Sequence, residues 1–177
     1  MKKLSFFTVL ITGLIIISPV LAQATTPSAA QTINGMKLID TTRKVEFSSP
    51  NELWSINAGK YSISLNHNTH FDAHVTLKKS WYNVSSAQEA YDKRKNSLKS
   101  YLPSAIFIRE NESITLPDNV KGKSMTYKNP SDLKVVREIM FVHDGKTFEL
   151  VFQAKEDNFQ IVKEDFKYIL QNMKLFQ

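Results

Sequence analysis

The sequence predicts an α+β fold, a mainly antiparallel sheet of about six to seven strands with two helices packed on it. Three observations predict it. Short stretches of alternating apolar and polar residues, such as KYSISLN and FDAHVTLK, recur along the chain with the period of half-buried strands. Two longer stretches, SSAQEAYDKRKNSLKSYL and NFQIVKEDFKYILQNM, repeat their apolar residues at three and four, as helices with one buried face do. Asp144-Gly145 separates two strand-like stretches, VVREIMFVH and KTFELVFQAK, and Asp-Gly suits the tight turn of an antiparallel hairpin.

In chain order, KLIDTTRKVEFSS is expected to form a strand on which Val45 and Phe47 alternate, with SPNEL as the turn after it. KYSISLN sets Tyr61, Ile63 and Leu65 against Ser62 and Ser64. In NHNTHFDAHVTLK, a period of two puts Phe71, Ala73, Val75 and Leu77 on an inner face. His70, Asp72, His74, Thr76 and Lys78 fall on the other. The apolar set is complete without the histidines, so His67, His70 and His74 are assigned to the polar face. The first helix opens with Ser86 and Glu89 at capping-box spacing and stops at Pro103. Lys93, Arg94, Lys95 and Lys99 lie mostly off its apolar stripe. AIFIRENESITLP is a strand with a bend at 110–112. In VKGKSMTYKNP an internal Gly122 signals a bulge or a close backbone approach. A two-residue loop at 144–145 pairs His143 with Lys146, Phe141 with Phe148, Ile139 with Leu150 and Arg137 with Phe152. The apolar face this creates needs a cover, which the last helix supplies through a stripe from Phe159 to Phe176, with Asp157 as its N-cap.

The N-terminus reads as an export signal. Lys2 and Lys3 precede an apolar run, Leu4 to Leu21, and Ala22-Gln23-Ala24 has the small-residue shape of a signal-peptidase site. A retained membrane anchor is the competing reading. Pro19 and the polar TTPSAAQT after the site favour cleavage. The expected organisation is a signal peptide at 1–24, a flexible leader at 25–36 and a single domain at 37–177, with no membrane span once the signal is removed. The short Lys-Lys signal is of bacterial type, so the product is expected in the periplasm or secreted. Cleavage lowers the formal charge from +6 to +4, 21 Lys and Arg against 17 Asp and Glu. The absence of Cys excludes disulfides, thiolate metal sites, a Cys nucleophile and a lipid-acceptor Cys. No basic run is interleaved with stacking aromatics, so nucleic acid is not an expected partner.

A helix opening Ser86-Ala-Gln-Glu-Ala-Tyr91, a strand with Val120-Lys-Gly-Lys-Ser-Met125, a long hairpin and a C-terminal helix ending ILQNMKLF together resemble the PsbP-like fold. That group includes the photosystem II extrinsic protein PsbP, the Ran-binding Mog-type proteins and bacterial DcrB-like exported proteins. The resemblance spans about residues 43–177. It departs from the group's common Pro-x-x-Trp, since Trp54 follows Pro50 by four. It implies a sandwich-like α+β fold and a non-enzymatic accessory protein that docks on a larger assembly, with no catalytic set to carry over.

For a site, His70, Asp72 and His74 offer nitrogen and oxygen ligands of the kind zinc or copper takes. Alternate strand residues stand about 7 Å apart, so sharing one ion requires a bend. Phe71 stands where a helical zinc-protease motif needs Glu. No G-x-S-x-G or comparable nucleophile motif occurs. Trp54, Trp81 and Tyr82, placed near loops, are the candidate partner-binding aromatics. The first expectation is therefore a non-enzymatic exported binding protein without a cofactor, docking on a protein or envelope component. The alternative is an exported zinc or copper binder using the 67–74 cluster. Mass spectrometry of the protein from its native envelope should find a chain beginning at or near Thr25; an intact N-terminus would favour the anchor.

Overall fold

The computed structural model describes residues 31–34 and 36–176. In chain order the elements are β1 (Gln31–Asn34), β2 (Lys37–Asp40), β3 (Val45–Ser48), β4 (Trp54–Ala58), β5 (Ser62–His67), β6 (His74–Lys79), α1 (Ala87–Tyr101), β7 (Ile106–Thr115), β8 (Lys121–Asn129), β9 (Lys134–His143), β10 (Lys146–Lys155), α2 (Glu156–Asn172) and β11 (Lys174–Leu175). The large sheet has the order β4-β5-β6-β10-β9-β8-β7 and the small one β1-β2-β3-β11. Every pairing described is antiparallel. This is the α+β, mainly antiparallel architecture that the sequence predicts, with a second, smaller sheet added.

β9 and β10 form the centre. Asp144 and Gly145 both take positive φ, 50° and 65°, as a type I′ turn requires. The predicted register is the one observed, from His143↔Lys146 through Arg137↔Phe152. It sorts the side chains onto two faces. Ile139, Phe141, Phe148, Leu150 and Phe152 join Ile63, Leu65, Val75 and Leu77 on one face, under α2 and the small sheet. Val136 and Met140 join Met125 and Tyr127 on the other, under Ala90, Tyr91 and Leu98 of α1. Gly122 is a close-approach glycine, since a Cβ there would lie 3.0 Å from Ile114 and 3.1 Å from the Met140 carbonyl oxygen. The bend expected at 110–112 is a register shift between Arg109 and Glu112, with Asn111 at φ 53°.

α1 is fixed by charge as well as by packing. Ser86 Oγ accepts the Glu89 N–H at the helix start. Arg94 reaches the sheet, its Nε and Nη2 each 2.6 Å from Glu138 on β9. Tyr127 donates to the same carboxylate at 2.9 Å. Burial opposes the Arg94 charge, but the bidentate Glu138 partner outweighs it and holds the guanidinium pKa above its ordinary value. Arg94 is thus half inside the interface rather than on the solvated side where periodicity placed it.

Several expectations need correction. The stretch 31–34, expected in the flexible leader, pairs with β2; ladder bonds are made by the main chain, so polar composition does not forbid a strand. The expected signal peptide, 1–24, and leader residues 25–30 lie outside the described residues. KLIDTTRKVEFSS is two strands, not one, because Asp40 and Arg43 close a turn between β2 and β3 and Lys44 takes φ 55°. β4 was not expected; it is a short edge strand whose inward Trp54 and Ala58 alternate with Ser55 and Asn57. Tyr61 and Phe71 precede their strands and turn outward, Phe71 with 78% of its surface exposed. Asp157 lies inside the first turn of α2 instead of capping it, and the helix stops at Asn172 so that β11 can pair with β3.

Gly145→Val should destabilise the protein by roughly 1 kcal/mol or more. The cause is backbone strain alone, because no atom lies within 4 Å of the added Cβ. Urea denaturation with an unchanged midpoint would contradict this.

Candidate functional site

The histidine stretch folds as the end of β5, a turn and the start of β6. His67 points into the core, edge-on to Trp54 at 5.0 Å between ring centres. Its Nδ1 accepts the backbone N–H groups of Thr69 at 3.2 Å and His70 at 3.0 Å, which places the ring proton on Nε2. Burial first, then the neighbouring His70, holds its pKa below the ordinary value. This corrects its assignment to the polar face: the turn needs an acceptor, and a buried neutral imidazole is one.

His70, Asp72 and His74 are not brought together. Asp72 turns to the start of α2, accepting the Lys155 N–H and, at 2.6 Å, the Asn158 amide. Burial would raise its pKa, but these bonds outweigh it and keep the carboxyl below its usual value. His74 sits on the outer face of β6 with Nδ1 2.8 Å from Asn66 Oδ1. Burial and then Lys134 depress its pKa. Among the described residues no group of three His, Asp or Glu is placed to hold a metal ion.

Of the candidate aromatics, Trp54 is buried, with 4% of its surface exposed. Its Nε1 donates to Asp165 of α2 at 2.8 Å, so it ties β4 to the helix and is not a free anchor. Tyr82 packs on the cluster beneath α1. Trp81 is the exposed one, at 93%.

A concave feature lies elsewhere, between α2 and the β7-β8-β9 end of the large sheet. It is a groove of about 370 Å³. Ile108, Val135, Phe152, Phe159, Phe166 and Leu170 give it apolar walls. Arg109, Arg137, Lys163 and Lys167 supply four cations, and Glu156 is the one acid of the lining. Glu156 is itself paired with Lys128. Sequence reasoning missed this site. The signal was Arg137, standing on the inward face of β9 in line with Ile139 and Phe141. Lys163 and Lys167, one turn apart on α2 and straddling Phe166, are a second sign, legible only once the helix is docked.

No family model matches the sequence, and no curated protein matches it. Solved structures do. The domain is similar to cyanobacterial PsbP (CyanoP) from Synechocystis sp. PCC 6803, with a TM-score of 0.57 and 14% identity over 90% of this chain and all of the other. It is also similar to PA94 of Pseudomonas aeruginosa, a protein of unknown function described as a putative regulator. There the TM-score is 0.50, with 9% identity over 83% of this chain and 96% of the other. The fold is PsbP-like, as the element order and motifs of the sequence suggested.

His67→Ala should cost about 1–3 kcal/mol, the range for leaving buried donors without a partner. His70→Ala and Phe71→Ala should each stay within about 0.5 kcal/mol. Because the potential ligands are dispersed, excess zinc should shift the denaturation of none of the three. A zinc-dependent loss at His70 would show that the turn rearranges around a metal.

Proposed function

We propose that this is an exported, non-catalytic accessory protein of the bacterial envelope or extracellular space, which acts by binding a protein or envelope component. The observation that carries the reading is the groove. It pairs apolar walls with an excess of cations, a combination suited to recognition, and it lines up no nucleophile with a base. The PsbP-like fold supports an accessory role, and the signal-like N-terminus supports export. No described helix is long and apolar enough to cross a membrane. Trp81, the exposed one of the three candidate aromatics, offers a second contact point near the start of α1.

Photo-reactive residues placed one at a time at Gln160, Trp81 and Ser64 in cells would test this. Gln160 lines the groove, and Ser64 lies on the outer face of β5, away from it. The expected outcome is a discrete mass adduct from position 160 and background at 64. An adduct from 81 alone would move the binding face to the start of α1. Adducts from none of them would overturn the binding reading.

A further inference from the structure

We propose that the groove between α2 and the β7-β9 end of the sheet takes a small amphiphilic carboxylate, its apolar body on Phe152, Phe159 and Leu170 and its anionic head on Arg137 and Lys163. This rests on the binding reading above and adds the chemical class of the ligand.

The charge arrangement carries the inference. Arg109 is 3.5 Å from Glu112, and Lys167 is 3.6 Å from Glu164, so both have local counter-ions. Arg137 and Lys163 have no ion pair within 4 Å among the described residues. Arg137 is the unusual one. It stands between Thr126 and Phe152 in the centre of the sheet, with Val135 and Ile139 on either side along its strand. Its Nε is buried without a hydrogen-bond partner. A guanidinium carries five donors, and with Nε closed off from the groove it is the Nη groups, which have no carboxylate partner among the described residues, that can meet an anion there. Burial depresses its pKa, with Glu112 as the opposing influence, so the site favours an added negative charge.

The ligand class follows from size and polarity. A volume of about 370 Å³ lies within the range of small-molecule sites. Apolar walls exclude a bare inorganic anion as the whole ligand. Phe159 packs on Phe166 at 5.5 Å between ring centres, and Phe166 on Phe152 at 5.3 Å, so the aromatic wall is continuous and suits a chain or ring laid along it. A planar carboxylate matches the fork of a guanidinium in two parallel hydrogen bonds.

The probe is dodecanoate below its micellar concentration, titrated calorimetrically into the full chain. Dodecanol, dodecyltrimethylammonium and vesicles of anionic lipid serve as comparison arms. The expected result is saturable 1:1 binding of dodecanoate, at least tenfold tighter than dodecanol, with no binding of the cation. Arg137→Gln should weaken it tenfold or more. Lys163→Glu, an exposed change that leaves the core untouched, should weaken it too, which guards against a folding defect at position 137. Equal binding of dodecanoate and dodecanol, or binding unaffected by both variants, would overturn the proposal. Binding to vesicles but not to free dodecanoate would also overturn it, by pointing to a membrane surface. If dodecanoate fails while position 160 still cross-links, the ligand class is wrong and the binding reading stands. If both fail, both fall.

Discussion

The pairing of β9 with β10 is the constraint on which the rest of this structure depends. β10 also pairs with β6 and β9 with β8, so one hairpin joins the strands before α1 to those after it. Its two-residue turn leaves no freedom in register, and a slip of one residue would exchange the two faces. With β10 held in place, Ile139 and Phe141 of β9 would then lie under α1, and the Glu138 carboxylate would face the aromatic side chains of α2. The turn is also tied down from outside. Lys44 pairs with Asp144 at 3.2 Å, and His143 Nε2 lies 3.1 Å from the Phe176 carbonyl oxygen, which joins the hairpin tip to the small sheet.

Both faces of the hairpin are covered, but by different means. α2 covers its side almost wholly with apolar contacts, and Trp54 and Asp165 add one hydrogen bond from the edge strand. α1 covers the other side with a smaller cluster and an anchored ion pair. Arg94 and Glu138 gain from each other and from Tyr127, but both lose water, so the pair adds orientation more than net stability. Loss of Glu138 alone would strand a half-buried guanidinium. The device specifies which turn of α1 meets which residue of β9, a matter that a small apolar cluster leaves loosely set.

The groove is a consequence of incomplete cover. α2 crosses the sheet over β10 and leaves the β7-β8 end partly open, and that is where the walls remain apolar and the cations collect. The histidine turn at the other end has the opposite character. His67 and Asp72, which look like ligands in the sequence, are consumed in holding the turn and the start of α2. A residue's chemistry and its use differ here because backbone N–H groups at turns and helix starts must find acceptors, and these side chains are the nearest ones.

The sequence by itself determined the α+β class, the hairpin and its register, the Ser86 cap and the close approach at Gly122. Each leaves its mark in the local chain, as a period, a turn dipeptide, a capping pair or a glycine inside a strand. It could not place His67, Phe71 or Tyr61, because at the ends of a strand alternation fails and the direction of the turn decides which way a side chain points. It could not separate β2 from β3 either, since the Asp40-Arg43 turn that divides them uses residues that also suit a strand face. The groove was decided by tertiary structure alone. Ile108, Arg137 and Lys163 are each at least 26 residues from the next in the chain, and only the docking of α2 against β9 and β7 puts their charges and apolar surfaces around one space.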